Sequence, residues 1–258
     1  MKNEIPIMND VNFPEELLPI IKDSESFIYD HSKKVISLVS KYKELMMMYS
    51  CALKEIETRF EILNSEFNVR NSRNPINFIN TRLKSSSSVI DKMTRNNIPL
   101  SIENIESGID DVAGIRVICS YIDDIYMIAN ALINQKDVKP LVLKDYIIKP
   151  KENGYRSLHL VVQIPIHFES MIKYVKVEIQ IRTIAMDFWA TLEHDLIYKN
   201  KLMDNKAITD ELRECSEIIS SADAKMFDIR KKVEENRVDI SEEEELIAQM
   251  KKFDLSFS

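Results

Sequence analysis

Two segments decide how the chain is read. The first is Lys144-Asp145-Tyr146-Ile147-Ile148-Lys149-Pro150-Lys151-Glu152-Asn153-Gly154-Tyr155-Arg156-Ser157-Leu158-His159, and the second is Val175-Lys176-Val177-Glu178-Ile179-Gln180-Ile181-Arg182-Thr183. Leu158, Leu160, Val162 and Ile164 alternate after the first, and Val175, Val177, Ile179 and Ile181 alternate within the second. A period of two sends successive side chains to opposite faces, so each is predicted to be a strand with one buried face. The other face of the second strand carries Lys176, Glu178, Gln180 and Arg182. A simple core strand has no use for that row. The loop 149–156 adds three cations and Tyr155; Pro150 fixes its backbone, and Gly154 permits a tight turn or a close backbone approach. A charged sheet face beside a basic loop with an aromatic reads as a floor for a charged ligand.

Working outward, Asp111-Val112-Ala113-Gly114-Ile115-Arg116-Val117-Ile118-Cys119 reads as a strand with Ala113, Ile115, Val117 and Cys119 on one face and Arg116 on the other. Ile76 to Leu83 and Val138 to Leu143 are further strands. Helices are predicted over about Ser24 to Ser65, from a cap among Ser85 to Ser88 to about Asn96, over Ser101 to Glu106, over Asp123 to Gln135, from Thr183 to about Asn200, and over Ala207 to about Val233. Ser241 followed by Glu242 to Glu245 looks like one more capped helix start. Three helices carry an apolar side, which in the first and last steps by three and four. Its positions are Val35, Leu38, Tyr42, Leu45, Tyr49, Ala52 and Ile56 in the first. Ala185, Phe188, Trp189, Leu192 and Leu196 form the stripe after Thr183. Leu212, Cys215, Ile219, Ala222, Met226, Ile229 and Val233 form the last. Central strands flanked by helices make an α+β domain. Residues 1–22 are expected to be a loose arm, 23–203 the main domain and 204–258 helices for packing or assembly.

The bulk properties narrow the function. The chain has 258 residues, 45% hydrophobic and 30% charged, enough for one sizeable core or two small ones. A formal net charge of -7 argues against a protein built to coat nucleic acid, and RNA binding has no support in the sequence. Three widely spaced cysteines, Cys51, Cys119 and Cys215, have no metal-site spacing and point to a reducing compartment, hence the cytoplasm. No signal peptide or apolar run long enough to span a membrane is present. Of only three glycines, Gly114 and Gly154 fall inside the charged segments.

Four constellations carry chemistry. Arg82 and Lys84 share a strand face, and Ser88 and Lys92 share a face of the next helix. Cations around a helix start outline a polyphosphate site, against the plainer reading of a solvated basic face. Asp111, beside a glycine at the start of a strand and followed by Arg116, suits Mg²⁺ held against phosphate, or is an ordinary strand-start aspartate. Lys149, Lys151, Asn153, Tyr155, Arg156 and His159 combine an aromatic that can stack on a base with cations for its phosphates; a lone strand histidine is more often structural. Glu178, with Gln180 and Arg182, could bind metal or take a proton from a hydroxyl, or could face water on an edge strand. Two cation clusters, two carboxylates and an aromatic suggest two nucleotides and a metal. The chemistry implied is phosphoryl-type transfer, where positioning and charge stabilisation dominate. The P-loop and protein-kinase motif sets are absent.

In chain order, Arg82…Lys84…Ser88…Lys92, Asp111-Val-Ala-Gly-Ile-Arg116, Lys149-Pro-Lys-Glu-Asn-Gly-Tyr-Arg-Ser-Leu-His159, Glu178-Ile-Gln-Ile-Arg-Thr183 and Ala185-Met-Asp-Phe-Trp-Ala190…Glu193-His194 together resemble the RelA/SpoT-type alarmone synthetase domain, in particular the stand-alone small synthetases. The resemblance spans about Ile76 to Lys199. It implies a mixed β-sheet of about five strands wrapped by helices, related to nucleotidyltransferases. It also implies transfer of the β,γ-pyrophosphate of ATP to the 3′-OH of GDP or GTP, releasing AMP. By that resemblance Arg82, Lys84, Ser88, Lys92 and Arg116 serve ATP. Asp111 and Glu178 serve Mg²⁺, with Glu178 also the base. Tyr155 stacks on guanine, and Lys149, Lys151, Asn153, Arg156 and His159 attend the acceptor. Asp187 stands near the acceptor where some relatives carry Asn, which leaves GMP, GDP and GTP open as acceptors. Stand-alone relatives form homotetramers, so a homo-oligomer is expected. Full-length relatives add a metal-dependent hydrolase with several His and Asp ligands. The only histidines here are His31, His159, His167 and His194, so hydrolase activity is not expected. The competing readings are a catalytically silent nucleotide sensor or RNA-binding regulator on the same fold, and nucleotidyl transfer of AMP.

Overall fold

A computed structural model describes residues 18–71, 73–200 and 206–235. The order is α1 (Leu18–Asn71), β1 (Ile76–Leu83), α2 (Ser86–Arg95), α3 (Ile102–Gly108), β2 (Ala113–Cys119), α4 (Ile122–Ile133), β3 (Lys139–Asp145), β4 (Leu158–His167), β5 (Ile172–Thr183), α5 (Ile184–Asn200) and α6 (Lys206–Glu235). The five strands make one mixed sheet, ordered β1-β2-β5-β4-β3. β2 and β5 run parallel, and every other neighbouring pair is antiparallel.

Alternation gives the sheet one apolar face. Ile115, Val117 and Cys119 of β2, Val177, Ile179 and Ile181 of β5, and Leu158, Leu160, Val162 and Ile164 of β4 join one core with Tyr49, Ala52, Ile56 and Phe60 of α1 and Ile125, Ile128 and Leu132 of α4. Each Val, Leu, Ile or Phe among them contributes roughly 1.5–3 kcal/mol on full burial, so register is strongly set: a slip by one residue would turn Glu178 and Arg182 into this core. α2 opens on Ser85, whose Oγ accepts from the Ser88 N–H, and stops before Asn97, at φ +54°.

The helices depart from expectation in several ways. α1 begins at Leu18, inside the stretch expected to be an arm, because Pro19 falls in the first turn, where its missing N–H has no partner to lose. Residues 1–17 lie outside the described residues, as does the helix expected after Ser241. α1 also runs past Ser65 to Asn71, into the expected loop. Phe67 packs on the core there, and Arg70 pairs with Glu66 at 3.0 Å. The α1 stripe is buried only from Leu45 onward; Val35 and Leu38 are more than half exposed. In α5 the buried side chains are Met186, Trp189 and Ala190, while Phe188, Leu192 and Leu196 face solvent. The α6 stripe is divided: Leu212 and Ile219 are partly buried, Met226, Ile229 and Val233 are exposed, and the buried residues are the polar Ser216 and Asp223.

Hydrogen bonds, more than apolar packing, dock α6. The Thr183 hydroxyl donates to the Asp223 carboxylate at 2.6 Å, and the Trp189 indole N–H donates to the Leu212 carbonyl at 3.0 Å. Arg230 holds Asp123 at 2.7 Å, next to a buried ion pair between Arg73 and Asp124 of α4. Sequence periodicity looks for apolar stripes and so gives no sign of these polar contacts.

Candidate active site

The face of the sheet opposite the core is built in rows. Register sets Arg82 beside Gly114, and Gly114 beside Glu178. Two residues along, Asn80, Arg116, Gln180 and His159 stand side by side across four strands. The parallel β2–β5 pair lies at the centre, so residues from segments far apart in the chain become direct neighbours. A cleft of about 220 Å³ opens over this surface, lined by Asn80, Arg82, Lys84, Asp111, Gly114, Arg116, Glu178 and Gln180 among others. Gly114 leaves its floor bare. A Cβ there would approach only the Arg82 carbonyl, at 3.7 Å, so a side chain would fit sterically but would fill the cleft.

One wall is cationic around a single carboxylate. Lys84 Nζ lies 2.6 Å and Lys92 Nζ 2.8 Å from the two Asp111 oxygens. Burial alone would raise the Asp111 carboxyl, but the two lysine hydrogen bonds outweigh it and hold Asp111 below the ordinary carboxylate range. Asp111 therefore stays ionised and orients both ammonium groups. Ser88 is less central: it sits in the first turn of α2, its hydroxyl accepting from Ser85 at 2.9 Å, and does not line the cleft.

Glu178 behaves in the opposite way. Burial raises its pKa, and the nearby Asp111 charge raises it further against a weaker opposing hydrogen bond from Gln180 at 3.1 Å. Two carboxylates that repel across one cleft are a donor set a divalent cation relieves. Mg²⁺ is suited to one or two carboxylates completed by phosphate oxygens, so the residues fit it. Among the described residues no group of three or more His, Cys, Asp or Glu stands ready to enclose a metal, which leaves the remaining ligands to a substrate and water.

The second half of the site centres on Tyr155. Its hydroxyl accepts from Arg182 at 2.6 Å and lies 2.8 Å from His159 Nε2. With Arg182 donating to the phenol oxygen, the phenol O–H is directed to Nε2, which assigns the ring proton to Nδ1, facing Glu178 at 3.9 Å. Burial, then repulsion from Arg182, Lys151 and Lys144, depresses the His159 pKa to about 3. His159 is thus neutral and supplies no positive charge. Lys151 Nζ stands 4.7 Å from the centre of the Tyr155 ring, and Trp189 packs at 6.4 Å. Asp187 links the halves, lying 3.0 Å from Arg182 and 3.3 Å from Arg116.

The loop that presents Tyr155 is held by its own polar atoms. Asn153 Oδ1 accepts from the Tyr155 N–H, and its Nδ2 donates to Glu193 of α5 at 3.1 Å. Gly154, at φ +89°, donates its N–H to the Lys151 carbonyl at 2.8 Å. Lys149 is exposed at the start of the loop. Arg156 turns away from the cleft: its Nη1 donates to the Ile147 carbonyl, and the side chain lines a separate cavity of about 500 Å³ toward α6. The structure thus brings together Arg82, Lys84, Lys92, Asp111, Arg116 and Glu178 on one side and Lys151, Asn153, Tyr155, His159 and Asp187 on the other. Sequence reading missed Asn80, although alternation from Arg82 points to it, and it placed Arg182 on the charged face without assigning it to either nucleotide. It also missed Ser216, for which the sequence offers no signal.

Known proteins share this chain's sequence and fold. The family described as the region found in RelA / SpoT proteins matches residues 81–203. GTP pyrophosphokinase YwaC of Bacillus subtilis is 41% identical over 204 residues, covering 79% of this chain and 97% of its own length. The crystal structure of small alarmone synthetase 1 from Bacillus subtilis bound to its product pppGpp superposes with a TM-score of 0.69 at 36% identity, covering 75% of this chain and 98% of that one. The same enzyme bound to AMPCPP gives a TM-score of 0.64 at 34% identity, covering 76% and 99%. No helix among the described residues is long and apolar enough to cross a membrane.

Proposed function

The chain belongs to the RelA/SpoT-type alarmone synthetases, and from that premise we propose how its cleft carries out the family's reaction. The activity is that of a GTP pyrophosphokinase: the β,γ-pyrophosphate of ATP passes to the 3′-OH of GDP or GTP, yielding (p)ppGpp and AMP. The 3′-oxygen forms a bond to the β-phosphorus as the bond from that phosphorus to the α–β bridging oxygen breaks. AMP leaves with the bridging oxygen, and the 3′-OH proton goes to the base.

The observation that carries the assignment is the juxtaposition of Glu178, raised and poised to accept a proton, with ionised Asp111 between two lysines in one cleft. Arg82, Lys84, Lys92 and Arg116 serve the ATP polyphosphate, with Ser88 at the neighbouring helix start. Asp111 and Glu178 would hold Mg²⁺, whose contribution is neutralisation of charge on the polyphosphate. Tyr155 stacks on the guanine, and Lys149, Lys151, Asn153, His159 and Asp187 form the acceptor side, while Arg156 braces the loop from behind through the Ile147 carbonyl. The neutral His159 holds the Tyr155 hydroxyl in place, while Lys151 supplies charge toward the acceptor's phosphates. Relatives holding pppGpp and an ATP analogue support two nucleotide subsites. A silent sensor has no need of two carboxylates facing phosphates.

The test is direct. Protein incubated with ATP, GDP and Mg²⁺ forms AMP and a 3′-pyrophosphorylated guanosine in equal amounts, resolved by chromatography. ADP or inorganic pyrophosphate as the leaving product would sink the assignment. In the same assay Tyr155→Ala raises KM for GDP far more than for ATP, by the roughly 1–3 kcal/mol of a base–aromatic stack. Equal losses for both nucleotides would make Tyr155 structural.

Assembly and location complete the reading. The apolar residues left exposed on α6 (Ile218, Met226, Ile229 and Val233) and on α1 (Val35, Ile36, Leu38 and Val39) support a homo-oligomer, with a tetramer favoured. Light scattering at micromolar concentration gives several times the 30.1 kDa of one chain; a monomer rejects it. Three free cysteines support a cytoplasmic location.

A further inference from the structure

We propose that Ser216 of α6 is a positioning residue for the guanine nucleotide, acting through Gly154 on the loop that presents Tyr155. The inference rests on the reading of Tyr155 as the stacking residue. Ser216 lies beyond the family-matched region, which ends at residue 203. Its hydroxyl donates to the Gly154 carbonyl at 2.5 Å, and both residues are buried. The fit is close: a Cβ placed on Gly154 would stand 2.6 Å from Ser216 Cβ and 3.1 Å from Arg213 Cα. Gly154 is therefore needed twice, for its φ of +89° and for the approach of α6.

The lever is short. Gly154 precedes Tyr155 directly, and its peptide sits inside the turn closed by Gly154 N–H to Lys151 carbonyl and Lys151 N–H to Tyr155 carbonyl. Asn153 tethers the tip of that turn to α5. The Ser216 hydrogen bond tethers its far side to α6, next to the roughly 500 Å³ cavity that leaves the loop otherwise loosely backed. α6 is in turn anchored to the end of β5 and to α5 through Asp223–Thr183 and Leu212–Trp189. A loop tethered at two points presents the aromatic ring preorganised, and losing one tether costs acceptor affinity without touching the reacting atoms.

Ser216→Ala is expected to raise KM for GDP about 3- to 10-fold, the span of one lost net hydrogen bond. KM for ATP and kcat should stay within about 2-fold. Ser216→Thr, which keeps the hydroxyl, recovers part of the loss. Ser221→Ala, a change to an exposed hydroxyl on the same helix that donates to the Glu217 carbonyl of its own preceding turn, has no such effect and controls for helix stability. Amide exchange at Lys151, Gly154 and Tyr155 is measured on the same proteins without nucleotide, and should quicken in Ser216→Ala alone. Unchanged loop exchange, or an equal rise in both KM values, overturns the proposal. Wild-type protein that makes no pyrophosphorylated nucleotide overturns the reading of the site beneath it. Normal wild-type activity with an indistinguishable Ser216→Ala variant overturns the Ser216 role alone.

Discussion

Glu178→Gln lowers turnover by about 10²- to 10⁴-fold, the range for loss of a general base, and at the same time raises the melting temperature. The two effects share one cause. Glu178 is a largely buried carboxylate whose pKa is raised by desolvation and then by the Asp111 charge, so at neutral pH its ionised form opposes folding. An amide keeps the shape and can still accept from Gln180, but carries no charge to desolvate and no site for the 3′-OH proton. The sign of the pH dependence follows from a folded-state pKa above the unfolded one. The contribution of Glu178 to stability is full below its unfolded pKa and is lost as pH rises through the folded value. The melting advantage of the variant is therefore absent in acid and opens as pH rises toward neutrality. Single-turnover product formation and thermal melts from pH 4 to pH 8 check both. Near-normal turnover in a folded variant would remove Glu178 from the chemistry.

Asp187→Ala destabilises the fold by about 3–5 kcal/mol, the cost of removing one partner from a buried ion pair. Arg182 is almost wholly buried, with 5% of its side chain exposed, and Asp187 is its charge partner. Arg116 is close enough that burial and Arg182 both act to lower its pKa, with Asp187 opposing them. Without Asp187 two guanidinium groups face each other on the floor of the site. At roughly 2–4 °C per kcal/mol for a chain of this size, the melting temperature falls by about 6–20 °C. The same vacated charge invites an anion: ATP or inorganic pyrophosphate raises the melting temperature of the variant more than that of the wild type, and added salt shrinks the difference. Asp187→Asn falls between the two proteins, since an amide still accepts from both arginines. A variant that melts with the wild type would show that Asp187 is not the counter-ion of this pair.

Much of the site was legible in the chain because β-structure writes its faces in a period of two. Once Val177, Ile179 and Ile181 are assigned to the core, Glu178, Gln180 and Arg182 have nowhere to go but the other face. The same holds for Arg116 between Ile115 and Val117. The cap at Ser85 and the left-handed Asn97 are likewise local chemistry, decided by side-chain oxygens and backbone dihedrals within a few residues. The helices were less legible, for a physical reason. Periodicity finds apolar stripes, and in α6 the most deeply buried residues are the polar Ser216 and Asp223.

By itself, then, the sequence determined the strands, the charged face of the sheet and the family to which its ordered motifs belong. Tertiary structure decided which charges meet. The parallel pairing of β2 with β5 puts Gly114 beside Glu178 and Arg116 beside Gln180, although 64 residues separate the members of each pair. Long-range neighbours raise Glu178 against Asp111, depress His159 beside Arg182, and bring Arg116 to Asp187, which already pairs with the nearby Arg182. These properties arise from distances of a few ångströms between groups distant in sequence. No local pattern encodes them, because Coulomb energy and desolvation depend on the neighbours the fold supplies.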